Sequence, residues 1–138
     1  MYYDLNPAGI LAATAASMLV SFVWFSPKVF GNLWIKTSNW KPEELEESRK
    51  KGMGKKMGIQ FFSTLVQATI LNLLLSFAGL TGWKYGLHGG LLLSLGIILP
   101  ETIGAVLYDK KSWIWLFVIA GNNLVSMSVM SMIIGSFM

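Results

Sequence analysis

The chain has 138 residues, of which 54% are hydrophobic and only 13% charged, with a net charge of +4 and no cysteine. A soluble domain carries about 25% charged residues, so an ordinary soluble globule is excluded, and 18 aromatic side chains exclude a disordered chain. Without cysteine there is no disulfide framework, thiolate metal site or cysteine nucleophile.

Four segments, Pro7–Phe25, Met57–Leu80, Tyr85–Tyr108 and Ser112–Met138, hold 94 of the 138 residues. The first, second and fourth have no charge, and the third has one Glu and one His. A helix needs roughly 20 apolar residues to cross about 30 Å of hydrocarbon. The expectation is an all-α membrane protein, residues 1–138 forming one integral membrane domain of four transmembrane helices over about 7–25, 57–80, 85–108 and 112–138. Runs such as Leu91-Leu92-Leu93 lack the alternation of a membrane barrel strand. The first segment has no basic residue before it and is too long for a signal peptide, so it is expected to stay in the chain.

Charge orients this bundle. Lys28, Lys36, Lys41, Arg49, Lys50, Lys51, Lys55 and Lys56 follow the first segment, and Lys110 and Lys111 follow the third. The opposite side has only Lys84. The positive-inside rule then places both termini outside the membrane, and the net charge needs no nucleic acid to explain it. Trp24, Trp34, Trp113 and Trp115 mark the inner interface, and Tyr2, Tyr3, Trp83 and Tyr85 the outer one.

The cytoplasmic loop 26–56 predicts one short charged helix. Pro42 suits a first helical position, Glu43 and Glu44 suit the first turn, and Gly52 is a stop. Glu46–Lys50 and Glu47–Lys51 have the favourable i,i+4 orientation. Its lysines read as a solvated face hugging anionic headgroups.

Glu101 carries the chemistry within the spans, because an ionisable side chain at membrane depth is rare and marks function by default. On a straight helix it shares a face with Gly90, Ser94, Gly104, Ala105 and Tyr108. Pro100 predicts a kink beside it. Depth counting places Thr64, Gln67, Ser17, Ser21, Asn122 and Asn123 in the same layer, with Asn122 and Asn123 the first expected partners. Two readings follow: a proton or cation site on a transport path, or interhelical glue. His88 lies about 20 Å along the helix from Glu101, so the two form no pair. Met127, Met130 and Met132 read as packing, and no metal or cofactor is expected. No nucleophile–base set, HExxH or phosphate loop can be assembled, so no enzyme is expected, and Gly86, Gly89 and Gly90 do not follow a strand.

Gly9, Ala13 and Ser17 form small-xxx-small steps. The second and fourth segments each carry polar residues on two faces, which predicts a homo-oligomer. The remaining partners are the bilayer and an unidentified ion or small molecule.

Trp24-Phe25-Ser26-Pro27, Phe30-Gly31 and Trp34, then Pro100-Glu101, Tyr108-Asp109 and Gly121-Asn122-Asn123-Leu124-Val125, resemble a prokaryotic membrane family, the one catalogued as domain of unknown function 1761. The resemblance spans nearly the whole chain. Phe25 stands where that family often has Tyr. What the resemblance implies is a four-helix integral membrane protein without a defined activity. Two functions remain: an oligomeric transporter or channel using Glu101, and an accessory or scaffold membrane protein.

The orientation is testable because single cysteines can be introduced freely. An impermeant thiol reagent added to intact cells should label Asp4→Cys and Ser136→Cys and spare Ser48→Cys. Labelling of Ser48→Cys alone would invert the topology.

Overall fold

The computed structural model of the protein describes residues 5–38 and 41–138. Tyr2, Tyr3 and Asp4 lie outside the described residues. All regular structure among the described residues is helical: α1 (Pro7–Trp24), α2 (Gly31–Thr37), α3 (Pro42–Lys50), α4 (Met53–Phe77), α5 (Trp83–Leu93), a π-helical turn (Ser94–Ile98), α6 (Leu99–Tyr108) and α7 (Trp113–Ser136). Four spans are long and apolar enough to cross a membrane: Pro7–Trp24, Gly54–Phe77, Trp83–Tyr108 and Trp113–Ser136. The protein is an all-α integral membrane protein.

Helix ends follow local chemistry. The Asn6 side chain caps α1 by accepting from the Gly9 N–H at 3.0 Å, and Ser112 caps α7 by accepting from the Trp115 N–H at 3.0 Å. Gly52, at φ 80°, ends the α3 run in a left-handed conformation that glycine adopts freely, and α4 starts at Met53, four residues before the apolar run begins. Gly54, Lys55 and Lys56 therefore belong to the helix and extend it beyond the hydrocarbon. On α3 the Lys51–Glu47 pair forms at 3.9 Å, with both side chains largely exposed, a geometry that contributes little.

The spans run antiparallel, so the basic connections gather at one end. There Trp24 meets Val118, and Lys111 meets Ser38. At the other end Asn6 meets Phe137, and the Gly82 N–H donates to the Gly135 carbonyl at 2.8 Å. The hub is α7, which packs against α1, α2, α4, α5 and α6. Its close neighbour is α5. A Cβ on Gly86 would stand 2.1 Å from the Ser131 carbonyl oxygen, and one on Gly90 2.6 Å from Ser131 Oγ. Two glycines four apart thus lie on Ser131 and Gly135, the small-residue contact by which helices associate in lipid. The core beside it contains Ile10, Ala13, Ala68, Leu71, Leu75, Met127, Met130 and Ile134. Gly9, Ala13 and Ser17 are buried together on α1, as their spacing predicts.

The third span is not a straight helix. The Leu99 N–H bonds to the Ser94 carbonyl, five residues back, in the π turn that precedes Pro100. A proline in an α-helix clashes with the carbonyl four residues earlier, and widening that turn relieves the clash. The widening also turns α6 by about one residue's rotation, roughly 100°, relative to α5. Below that turn the packing thins. No residue of α6 is buried, whereas α7 buries ten.

Candidate functional site

The sequence signature after α1 folds into one compact turn. The Ser26 hydroxyl donates to the Val23 carbonyl at 2.7 Å, while the Phe30 and Gly31 N–H groups donate to the Trp24 and Ser26 carbonyls at 3.0 and 2.9 Å. The Asn32 side chain donates to the Pro27 carbonyl at 3.2 Å. These bonds reverse the chain from α1 into α2, a helix of seven residues that charge and hydropathy patterns do not reveal. Gly31 has no room for a side chain, since a Cβ would stand 2.2 Å from the Phe25 carbonyl oxygen.

The turn seats its aromatic rings on α7. The Trp24 indole donates to the Val118 carbonyl at 2.9 Å, and its ring lies over Gly121, where a Cβ would come within 2.7 Å. Phe30 stacks on Trp24 at 4.5 Å and meets Phe117 at 6.4 Å, and Phe25 meets Trp34 edge-on at 5.6 Å. Trp24, Ser26, Pro27, Phe30, Gly31, Trp34 and Gly121 thus build a joint, and two distant parts of the signature are in contact there.

The polar residues expected in one layer are spread over different faces. Asn122 is buried, with its Oδ1 unpartnered, between Val118 and Ser126 on the α7 face that meets α1. Ser126 shares a short hydroxyl–hydroxyl bond with Ser17 across that contact. Asn123 is half-buried. Thr64 is buried and donates to the Gln60 carbonyl at 2.8 Å, while accepting from the Gln60 side chain at 3.2 Å. Gln67 is exposed and lines a groove of about 310 Å³ with Ile70, Leu71, Leu74, Leu93, Ile97, Ile98 and Met127.

Glu101 makes no hydrogen bond to Asn122, Asn123 or Thr64. It is exposed on the side of the bundle and makes no hydrogen bond or ion pair among the described residues. Gly90 and Ser94, which a straight helix would put on its face, are buried. The π turn is the reason, because it rotates Glu101 away from them. Glu101 instead follows by one helical turn Ile97 and Ile98, which line the groove with Gln67, and is itself not one of the groove's lining residues. Thr102 beside it donates to the Ile98 carbonyl at 2.7 Å.

The remaining candidates are accounted for locally. His88 is exposed, with Nδ1 2.7 Å from the Lys84 carbonyl oxygen. Met127 and Met130 are core residues. Among the described residues no three His, Cys, Asp or Glu gather as a metal site.

A family model described as "Protein of unknown function (DUF1761)" matches residues 8–135. No curated protein and no solved structure matches the chain.

The joint makes a quantitative expectation. Gly31→Ala should destabilise the protein by about 1–3 kcal/mol through overpacking, and Trp24→Phe by about 0.5–1.5 kcal/mol through one lost hydrogen bond. Gly58→Ala, whose Cβ would meet nothing within 4 Å, serves as control. Thermal unfolding in detergent reads all three, and a Gly31→Ala variant as stable as the parent would contradict the assignment.

Proposed function

The chain belongs to the DUF1761 family, and on that premise we propose that it is a small homo-oligomeric transporter or channel whose Glu101 carboxyl binds a proton or cation at a boundary between copies. The observation that carries this reading is the exposure of Glu101, within an apolar span and without a partner among the described residues. A charge at membrane depth costs at least about 2.5–3.5 kcal/mol. A carboxylate facing lipid therefore needs a proton, a cation or a covering surface. A second copy supplies the surface, and a two-fold dimer is the commonest way to supply it. The groove one turn before Glu101 holds Gln67 beside Ile97 and Ile98, a polar group that a second copy could meet. Asn122, Asn123 and Thr64 then act as structural polar groups.

The second reading is an accessory or scaffold membrane protein in which Glu101 is glue between copies. It draws support from polar bonds that already join elements of this chain, between Ser17 and Ser126 and between the Asn6 N–H and Asn72. Neither reading assigns catalysis. Under both, the termini face outside, on the strength of the ten-to-one basic asymmetry between the two ends, and a prokaryotic cytoplasmic membrane follows from the resemblance alone.

Reconstituted vesicles separate the two. Glu101→Gln keeps size and hydrogen bonding but cannot titrate. Under the transport reading it assembles as the parent does, while pH-dependent proton or cation flux falls to the level of empty vesicles. Flux equal to the parent's would overturn that reading in favour of glue. Glu101→Leu should weaken assembly in either case.

A further inference from the structure

A second polar site lies at the basic end, beyond the α6 that carries Glu101, and rests on different residues. Leu33, Lys36 and Thr37 of α2 face Lys110, Ser112 and Ile114 across a pocket of about 350 Å³. We propose that this pocket binds the phosphate of an anionic phospholipid, held between the ammonium groups of Lys36 and Lys110.

Charge supply supports the assignment. Lys36 and Lys110 come from different elements, and neither has an ion pair or hydrogen bond among the described residues. The neighbouring lysine is committed elsewhere. Lys111 donates to the Ser38 carbonyl at 3.2 Å and lies over the Trp115 ring at 5.6 Å. That bond ties the end of α2 to the α6–α7 turn and so holds the two walls together. Asp109 precedes Lys110 in the chain but does not line the pocket.

The backbone is also committed to the site. Lys110 has φ 56°, the one left-handed non-glycine residue among those described. L-residues seldom adopt that conformation, and it lets the chain pass from α6 to α7 in four residues. Ser112 caps α7, whose positive dipole end favours an anion at this wall. The Thr37 hydroxyl is already donated to the Leu33 carbonyl at 2.8 Å, so its oxygen lines the pocket without adding a donor.

The apolar lining selects a lipid over free phosphate. Leu33 and Ile114 complete the pocket, and Ile114 and Phe117, one turn apart on α7, are 53% and 66% exposed. They offer an acyl chain a continuous surface leading from the headgroup into the apolar span. Basic pockets between membrane helices are suited to this class of ligand. A zwitterionic headgroup would bring its own cation toward two lysines, which favours a net anionic lipid such as phosphatidylglycerol.

Native mass spectrometry of the full chain, released from nanodiscs of mixed phosphatidylglycerol and phosphatidylcholine, tests the site. The parent should retain phosphatidylglycerol preferentially. K36Q/K110Q should lose that preference by roughly tenfold, and K36R/K110R should keep it, which separates charge from folding. K28Q/K55Q removes the same charge from the same end and should leave the preference intact. Equal loss in K28Q/K55Q would reduce the effect to diffuse attraction and overturn the proposal. Inorganic phosphate at millimolar concentration should fail to displace the lipid; displacement would assign the pocket to free phosphate and overturn the lipid assignment.

Discussion

The contact between the α5 and α7 backbones decides most of this structure. Helices in lipid gain no hydrophobic advantage by meeting, so close packing and polar contacts must hold them. Gly86 and Gly90 on one side, with Ser131 and Gly135 on the other, allow that approach. The Gly82 N–H bond to the Gly135 carbonyl pins its end. The contact holds only as far as the π turn at Ser94–Ile98. Beyond it α6 has no buried residue, and Glu101 is left on an open side.

That geometry changes what the carboxylate can be. A glutamate inside the bundle would be solvated by Asn122 or Asn123 of its own chain. Here Asn122 faces α1, among Trp24, Ser17 and their partners on α7. The hydroxyls of Thr14, Thr64, Thr69, Thr102 and Ser128 donate to carbonyls four residues back in their own helices, so they make no demand on Glu101 either. None of the described residues supplies the carboxyl with a partner. Pro100 and Glu101, adjacent in sequence, therefore act together: the proline forces the wide turn, and the turn presents the acid.

The four spans were legible because length and uninterrupted apolarity are one-dimensional properties. The charged helix α3 was equally legible from Pro42, Glu43, Glu44 and Gly52. Two features were not. The helix α2 is too short for a periodic signal, and its existence rests on the bonds of Ser26, Phe30 and Gly31 to the end of α1. The direction of Glu101 depends on one extra residue per turn between Ser94 and Ile98, which a wheel of constant pitch cannot register; Pro100 signalled a distortion there but not its sense. The resemblance carried by Trp24, Gly31 and Gly121 identified positions that matter, and their contact shows that they matter as a joint between α1, α2 and α7.

The central claim is that the open side bearing Glu101 is covered by a second copy. Ile97 lies on that side and is 60% exposed, whereas Phe22 on α1 is 74% exposed elsewhere on the bundle. The chain contains no cysteine, so oxidative crosslinking of Ile97→Cys and Phe22→Cys in native membranes reads the contact directly. The account predicts a disulfide-linked dimer for Ile97→Cys and monomer for Phe22→Cys. Monomer for Ile97→Cys at every protein-to-lipid ratio, or equal crosslinking at both positions, would contradict it.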